Sequence, residues 1–329
     1  MKRICKLFSL ILCLCLCLPL VACGSKASTT DKLKVFAPDG APALALSGML
    51  AEDGDKYDFT VVASSSIGSK LVDGSADLAI VPTNAAVNLY NKGKDYRIAA
   101  LATVGNLYLI GKGDFTLSDL TGKTLGVFGQ NNVPDLVLRA LLSDNDMETV
   151  VSDEAAAGKV ALRYFADGPA VMQAIKKGVV PFGLLPEPAA TAALKNIEGA
   201  TLSDVQAERQ KITGSYGFPQ AVLVVKGSLL EDRKADVDAF LTRYATLGTW
   251  AEEHPQEAVA AVSAHMAEGV EASIKALTKE TAKRCNIRVD RIDETARNQV
   301  KAFMQDIIDL GLSESIGGKL PADTIFYHA

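Results

Sequence analysis

The chain alternates short apolar runs with polar loops and with segments in which apolar residues recur at helical spacing. The apolar runs have the length of buried strands and cover residues 33–37, 59–63, 77–81, 97–104, 107–110, 124–128, 161–165, 182–185 and 221–225. Strands that alternate with helices in this way predict mostly parallel sheets with helices on both faces. The pattern therefore predicts the α/β class.

Within this pattern, one set of strand, loop and helix segments occurs twice along the chain. The segment 35–46 (VFAPDGAPALAL) recurs as 127–138 (VFGQNNVPDLVL), with Val-Phe, Pro and two Leu at matching positions. The segment 80–86 (IVPTNAA) recurs in the same way as 184–190 (LLPEPAA). Two copies of one α/β half predict two similar lobes, each a doubly wound sheet with flanking helices. Two lobes that face each other across a cleft are typical of proteins that clamp a small ligand.

The two lobes are predicted to be interleaved along the chain. A strand is interrupted at Gly105-Asn106, which we interpret as the first crossover, and the stretch 214–218 is interpreted as the return. This places residues 33–104 and 219–329 in lobe 1 and residues 105–218 in lobe 2, joined by a two-crossover hinge. The chain after the last strand is predicted to be helical at 232–254, 256–268, 271–278, 279–285 and 293–310, with an extended tail at 320–327.

The N-terminal segment 1–22 is predicted to be a lipoprotein signal peptide. Three basic residues precede an apolar run at 7–18, and the lipobox LVAC follows at 20–23. A transmembrane helix is the alternative, but the run is shorter than the roughly 20 residues that a span needs. We therefore expect acyl chains such as palmitate on Cys23 to anchor the protein in the membrane. Residues 23–32 would form the flexible tether.

Charge and cysteine content narrow the class of protein further. The formal net charge is −5, and the sequence contains no basic cluster, which argues against a nucleic-acid partner. Of the six cysteines only Cys285 lies beyond Cys23, so an intrachain disulfide is excluded after processing. We expect Cys285 to be a buried or idle thiol and the protein to be a monomer.

The candidate binding residues lie in the loops that follow strands. In open α/β sheets, ligands bind beyond the carboxyl ends of the strands. Most of these loops open helices, whose free N–H groups bind anions or polar ligand edges. Single residues such as Asp39 or Asp167 are alternatively only helix caps, but convergence of loops from two lobes favours a site. The predicted ligand-binding residues are Asp39, Gly40, Ala41, Ser65, Ser66, Thr83, Asn84, Asn106, Gln130, Asn131, Asn132, Asp167, Gly168, Glu187 and Tyr216.

Signatures of catalysis are weak. The three histidines are His254, His265 and His328, and none falls in these loops. The loops also contain no Cys, Lys or Arg, so no pair of base and nucleophile is visible. Metal-ligand spacings and nucleotide-binding motifs are missing from the sequence. We therefore predict no enzyme activity, no metal and no cofactor, and we expect the acids of the loops to accept hydrogen bonds from a ligand.

Several segments together carry a resemblance to a known family. They are the lipobox, the duplicated halves, the segment 77–82 (DLAIVP), the segment 117–127 (LSDLTGKTLGV) and the tail 320–327 (LPADTIFY). They resemble ABC-transporter solute-binding lipoproteins, most nearly the nitrate/sulfonate/taurine and thiamine-precursor binding proteins. The resemblance covers essentially the whole chain after the signal. It implies the type II periplasmic-binding-protein fold, closure of two lobes on a ligand, and delivery to an ABC permease and its ATPase at the extracytoplasmic face of the cell membrane.

The chain departs from the anion-binding members of that family because its cleft loops carry no Arg or Lys. Together with three asparagines, Glu187 favours a neutral or weakly cationic ligand, such as a heterocycle or vitamin precursor, over sulfonate or nitrate. Aromatic side chains near the hinge or loops are candidates to stack on a ring, although each alone is more often part of a core. They are Tyr108, Tyr164, Phe165, Tyr216 and Phe218.

The leading hypothesis is therefore a lipid-anchored, extracytoplasmic receptor for a small polar organic solute. The same fold also serves other functions. One alternative is an enzyme, as in menaquinone or pyrimidine metabolism, against which the signal peptide and the loops without His or Cys argue. The other is a ligand sensor for a membrane signalling protein, which no feature of the sequence excludes.

Overall fold

The computed structural model describes residues 31–214 and 217–327. The predicted signal peptide, the predicted lipid attachment at Cys23, most of the predicted tether and the candidate ligand residue Tyr216 lie outside the described residues. Within the described part of the chain, no helix is both long enough and apolar enough to cross a membrane.

The strands of the described chain form two sheets. In chain order they are β1 (Leu33–Pro38), β2 (Tyr57–Val62), β3 (Leu78–Pro82), β4 (Tyr96–Val104), β5 (Leu107–Lys112), β6 (Thr124–Phe128), β7 (Thr149–Val151), β8 (Val160–Phe165), β9 (Phe182–Pro186), β10 (Ala200–Asp204) and β11 (Pro219–Lys226). Sheet A has the order β2-β1-β3-β11-β4, and sheet B has the order β10-β5-β9-β6-β8-β7. The chain therefore passes between the sheets twice, after β4 and after β10.

The two sheets share one topology over five strands, and sheet B carries β7 as an additional strand beside β8. In sheet A, β1 lies parallel between β2 and β3, and β11 runs antiparallel between β3 and β4. In sheet B, β6 lies parallel between β8 and β9, and β5 runs antiparallel between β9 and β10. The repeat seen in the sequence is thus a repeat of strand order as well. The predicted α/β fold with two similar lobes and two crossovers is confirmed.

Helices cover both faces of each sheet. They are α1 (Ala41–Leu44), α2 (Ser47–Glu52), α3 (Ile67–Val72), α4 (Thr83–Asn91), α5 (Val133–Ser143), α6 (Gly168–Lys176), α7 (Ala189–Asn196), α8 (Val205–Thr213), α9 (Leu229–Asp232), α10 (Lys234–Tyr244), α11 (Trp250–Glu253), α12 (Pro255–Ala264), α13 (Lys279–Arg284) and α14 (Glu294–Asp309). The period-2 alternation of a strand explains the two faces. In β3, for example, Ile80 packs with α1 and α2, whereas Val81 packs with α3, α4 and α14.

One apolar cluster extends across both sheets. It joins side chains of α14, such as Phe303 and Met304, to Leu136 of α5 and Val205 of α8. Phe218 at the second crossover packs against Phe303 with ring centroids 6.0 Å apart. From Leu33 onward the chain accordingly forms one compact unit. Through this cluster, the helix α14 packs against elements of both sheets.

Two of the predicted helices are wrong. The predicted helix 232–254 is broken after Tyr244, and the break lets Leu247 and Trp250 pack against Gly48, where an added Cβ would lie 2.8 Å from Leu247 Cδ2. The predicted helix 271–278 consists of turns, although Ile274 and Leu277 are buried.

The serines before α3 form the start of this helical segment. Residues Ser64–Ser66 form a 3-10 turn, and Ser66 makes no side-chain cap to α3. The chain therefore passes from a 3-10 turn directly into α3.

Candidate functional site

The carboxyl ends of β1 and β3 lie side by side at one edge of sheet A. These strands are parallel, with Val35 opposite Leu78, so the residues that follow them meet at the same edge. Asp39 follows β1, and Thr83 begins α4 directly after β3. Neighbouring strands lie about 4.8 Å apart, which brings the two side chains to adjacent positions.

The strand β4 brings a third polar side chain to the same edge. Thr103 of β4 is the partner of Ala221 in β11, and Ala221 is in turn the partner of Pro82 in β3. Thr103 therefore lies level with the end of β3. The side chain of Thr103 is fully buried.

Five side-chain atoms at this edge and at the adjoining crossover are buried and have no hydrogen-bond partner among the described residues. They are Asp39 Oδ1, Thr83 Oγ1, Asn84 Oδ1, Thr103 Oγ1 and Asn106 Nδ2. Buried polar atoms in folded proteins are nearly always paired, and an unpaired one costs about 1–3 kcal/mol. Four of these five residues belong to the predicted ligand-binding set. A polar molecule bound here would supply the missing partners.

Asn84 connects this edge to the lobe built on sheet B. Its Nδ2 donates to the carbonyl oxygen of Asn131 at 3.0 Å and to that of Ser315 at 3.1 Å. Asn131 lies in the loop before α5 and has a φ of 59°, in the left-handed region that Asn tolerates better than most residues. The structure thus brings the predicted residues Asn84 and Asn131 into direct contact.

A buried carboxylate holds the loop of Asn131 in place. Asp135 is fully buried, and its Oδ2 accepts the backbone N–H of Asn131 at 2.9 Å. Its Oδ1 accepts from Arg139 Nε at 2.9 Å and from the Tyr164 hydroxyl at 2.7 Å. Burial, reinforced by the hydrogen bond to Asp135, raises the pKa of Tyr164 to about 12. Tyr164 is therefore committed to this cluster as a donor to Asp135.

Glu187, which follows β9, is paired with a cation that the sequence did not place in the site. The carboxylate side chain is fully buried, and its Oε1 accepts from Arg284 Nε at 2.7 Å. Oε1 also accepts the hydroxyl of Thr191 at 2.8 Å, and Oε2 accepts the backbone N–H of Thr191 at 3.1 Å. Arg284 Nη2 hydrogen bonds to the Thr191 hydroxyl as well. Glu187 is thus not an open acid but the centre of a closed set of hydrogen bonds.

Arg284 was missed because it lies in the C-terminal helices rather than in a strand-end loop. It is the last residue of α13 and directly precedes Cys285. The only indication in the sequence was the basic pair Lys283-Arg284 directly before Cys285, a residue type that is usually buried. Cys285 itself is buried, as predicted, and burial together with the nearby charge of Glu187 raises the pKa of its thiol.

The first crossover is built from amide side chains. The backbone N–H of Asn106 donates to Gln220 Oε1 at 3.0 Å, and Gln220 Nε2 donates to Asn106 Oδ1 at 2.6 Å. Gln206 Oε1 accepts the N–H of Leu107 at 2.9 Å. Gly105 has a φ of +68°, and a Cβ there would lie 2.6 Å from Gln206 Cγ. The crossover therefore requires glycine at this position.

The remaining predicted residues have local roles. Gly40 and Ala41 are buried at the start of α1, whereas Ser65, Ser66 and Gln130 are exposed and Asn132 is half-buried. Asp167 accepts the N–H of Ala170 at 2.8 Å and so caps α6, and Gly168 is buried beside it. Of the aromatic candidates, Tyr108 and Phe218 are buried in the core, and Phe165 packs against the guanidinium of Arg163.

The structure contains no obvious metal site in the described ranges. No group of three or more His, Cys, Asp or Glu side chains gathers there in a way that would hold a metal ion.

Solved structures of other proteins share the fold of this chain. No family model matches the sequence, and no curated protein matches it. Among solved structures, an ABC transporter protein from Parabacteroides distasonis is similar at a TM-score of 0.71 with 24% identity, over 90% of this chain and 99% of the other. The two-lobe architecture described above is shared with it. This chain has the fold of the periplasmic binding proteins.

Two further structures support the periplasmic-binding-protein fold. The ligand-binding component of an ABC-type import system from Staphylococcus aureus, with zinc bound, has a TM-score of 0.63 and 15% identity over 91% of this chain and 97% of the other. The aliphatic sulphonate binding protein SsuA from Escherichia coli has a TM-score of 0.62 and 15% identity over 88% of this chain and 95% of the other. The fold expected from the resemblance to solute-binding proteins is confirmed.

Proposed function

We propose that this protein is a solute-binding protein that captures a small polar organic ligand between its two lobes and delivers it to an ABC importer. The observation that carries the proposal is the set of buried, unpaired polar atoms at the carboxyl edge of sheet A and at the first crossover. Ligands of open α/β folds bind at this edge. The solved neighbours described as ABC import components support binding and transport rather than catalysis.

The ligand would be enclosed by movement of two bodies about the crossovers. We propose residues 33–104 with 219–329 as one body and residues 105–218 as the other. The strands of sheet A come from the first set and those of sheet B from the second, which supports the division. The hydrogen bond between Asn84 and Asn131 would form on closure, as in hinge motions of two-lobed binding proteins.

The unpaired atoms indicate the chemistry of the ligand. Asp39 Oδ1 and Asn84 Oδ1 are acceptors, so they need N–H or O–H groups from the ligand. Asn106 Nδ2 is a donor and needs a carbonyl or ring nitrogen. A neutral or weakly cationic heterocycle or vitamin precursor offers both kinds of group, whereas nitrate and simple sulfonates offer only acceptors.

The location of the protein is part of the proposal. The lipobox supports a lipid anchor at Cys23 on the extracytoplasmic face of the cell membrane, where an ABC permease takes up its cargo. We propose that the solute-binding part works there as a monomer.

Thermal-shift screening of the protein from residue 24 onward tests the function. A ligand that binds only the folded state raises the unfolding temperature, by an amount that grows with its concentration over Kd. We expect a heterocycle or vitamin precursor to raise it and nitrate or an alkanesulfonate to leave it unchanged. Failure of every organic solute to stabilise the folded protein contradicts the proposed function.

A further inference from the structure

The carboxylate of Glu187 occupies a site built to hold an anion. Its oxygens accept three hydrogen bonds, from Arg284 Nε, the Thr191 hydroxyl and the Thr191 backbone N–H. A guanidinium and a hydroxyl that converge on one carboxylate form a strong, charge-assisted arrangement. Thr191 lies in the first turn of α7, where the positive end of the helix dipole adds to the attraction.

This arrangement lies beside the candidate ligand site. The backbone N–H of Glu187 donates to the carbonyl oxygen of Asn106 at 2.9 Å. Asn106 carries one of the buried, unpaired donors described above. The carboxylate of Glu187 therefore lies next to the place where a bound solute would contact Asn106.

The backbone of Arg284 is held in position independently of Glu187, and its Nη2 has a second partner in the Thr191 hydroxyl. Thr278 caps the start of α13, and its hydroxyl accepts the N–H of Thr281 at 3.2 Å. Thr281 and Ala282 of this helix and Cys285 after it are buried in the core beside sheet A. The Arg284 side chain itself is 39% exposed, so ions from solvent reach it. Truncating Glu187 should leave Arg284 and Thr191 in place as an unoccupied oxyanion site.

We propose that Glu187 is a specificity-determining residue, because its carboxylate fills the oxyanion site formed by Arg284 and Thr191 and thereby excludes anionic solutes from the cleft. This inference rests on the proposed function and deepens it. A carboxylate or sulfonate that approached Arg284 would meet a site already occupied by a negative charge. Because Glu187 already pairs with the guanidinium, Arg284 offers an anionic solute no unpaired positive charge.

The test uses the variant Glu187→Ala in the protein from residue 24 onward. Formate, acetate and methanesulfonate are titrated as sodium salts, with sodium chloride at equal ionic strength as the reference. We expect each oxyanion to raise the unfolding temperature of the variant and to bind it at least about tenfold more tightly than it binds the wild type, a difference of about 1.4 kcal/mol. The wild type should respond to these salts as it does to chloride.

The double variant Glu187→Ala/Arg284→Ala is the matched control, since it lacks the cation of the site. Its response to the oxyanions should fall back to that of the wild type. If Glu187→Ala does not fold in chloride, Glu187→Ser allows the same comparison, because it keeps an oxygen for the N–H of Thr191.

Three results would overturn the inference. One is a folded Glu187→Ala protein with no response specific to oxyanions, and another is a response that persists in the double variant. The third is a wild type that binds methanesulfonate as tightly as the variant does. None of these measurements requires the natural solute, so a solute screen without hits would count against the proposed function alone.

Discussion

Asn84 Nδ2 donates to the carbonyl oxygen of Asn131 across 3.0 Å, and this bond joins the carboxyl edge of sheet A to the loop that opens α5. The other end of the Asn84 amide, Oδ1, is buried and unpaired among the described residues. One side chain thus contacts the opposite lobe and presents an acceptor to the candidate site. Ligand binding and lobe closure would be coupled through this residue.

Replacing Asn84 should therefore weaken ligand binding without unfolding the protein. In Asn84→Ala the ligand loses one acceptor and the closed form loses the contact to Asn131, each worth about 0.5–1.5 kcal/mol. We expect Kd to rise about tenfold or more in isothermal titration with a ligand found by the thermal screen. Asn88→Ala is the control, because Asn88 lies one turn later on α4 and donates to the carbonyl oxygen of Glu314 rather than to Asn131. Equal affinities for the two variants would remove Asn84 from the site.

Replacing Arg284 should destabilise the fold. Arg284→Ala leaves the buried carboxylate of Glu187 without its cation, which is a costly change for a buried pair. Because Arg284 is 39% exposed, solvent screens part of that cost, and we expect a loss of about 1–3 kcal/mol in the free energy of unfolding. Urea denaturation measures it.

The matched control for this loss is Arg288→Ala. Its ion pair with Asp290 is at 3.5 Å, and both side chains are at least 60% exposed. That variant should stay within about 0.5 kcal/mol of the wild type. A loss of similar size in both variants would show that the pair with Glu187 contributes no more to stability than an exposed ion pair.

Stability should fall in acid partly through Asp53. Burial acts to raise the pKa of this carboxyl, but hydrogen bonds and ion pairs with Lys56 and Arg243 outweigh it and hold the pKa below the ordinary value of 3.8. Because the folded pKa is the lower one, the stabilisation is present above pH 3.8 and is lost as the pH falls through the folded pKa. We expect the unfolding free energy of Asp53→Asn to depend less steeply on pH below about 4 than that of the wild type. Parallel curves for the two proteins would contradict this.

The thiol of Cys285 should be inert in the folded protein. It is buried, and burial with the charge of Glu187 keeps its pKa above the ordinary value, so thiolate is scarce. In protein that begins at residue 24 it is the single cysteine. Labelling with a maleimide should be negligible under native conditions and complete in denaturant. Rapid native labelling would show that the core around α13 opens.

Glycine is required at the first crossover. Gly105→Ala places a Cβ 2.6 Å from Gln206 Cγ at a φ of +68°. Gly93 has a φ of +82° with nothing within 4 Å of the added Cβ, so Gly93→Ala isolates the cost of the backbone conformation, about 1 kcal/mol. We expect Gly105→Ala to lose clearly more stability than Gly93→Ala in urea denaturation. Equal losses would mean that Gln206 moves aside freely.

Much of the fold was predictable because it depends on periodicity. The repeated segments, nine of the eleven strands in the described chain and the interruption at Gly105-Asn106 are all local patterns, whereas β7 and β10 were missed. The crossovers that place β5 in one sheet and β11 in the other were predicted, but the positions of β11 between β3 and β4 and of β5 between β9 and β10 were not, since pairing partners distant in sequence leave no local signal. The helix expected at 232–254 was wrong for a related reason, because the break after Tyr244 is set by packing against Gly48.

Only those residues of the candidate site that follow strands could be predicted from the sequence. Thr83, Asn84 and Glu187 could be named because each directly follows a strand, but Thr103 and Arg284 could not. Thr103 lies within a strand, and Arg284 lies in a helix about a hundred residues from its partner Glu187. The charge of the cleft wall therefore could not be judged from the loops alone.

The position of β11 has a consequence for the order in which the protein acquires its structure. β11 lies between β3 and β4, so sheet A has no continuous hydrogen-bonded ladder until residues 219–226 have left the ribosome. Sheet B, by contrast, is made from one uninterrupted stretch of chain, from β5 to β10. Domains generally fold as units as the chain emerges. The second half of the duplication should accordingly fold first, and its folding brings the end of the chain back to complete the first half.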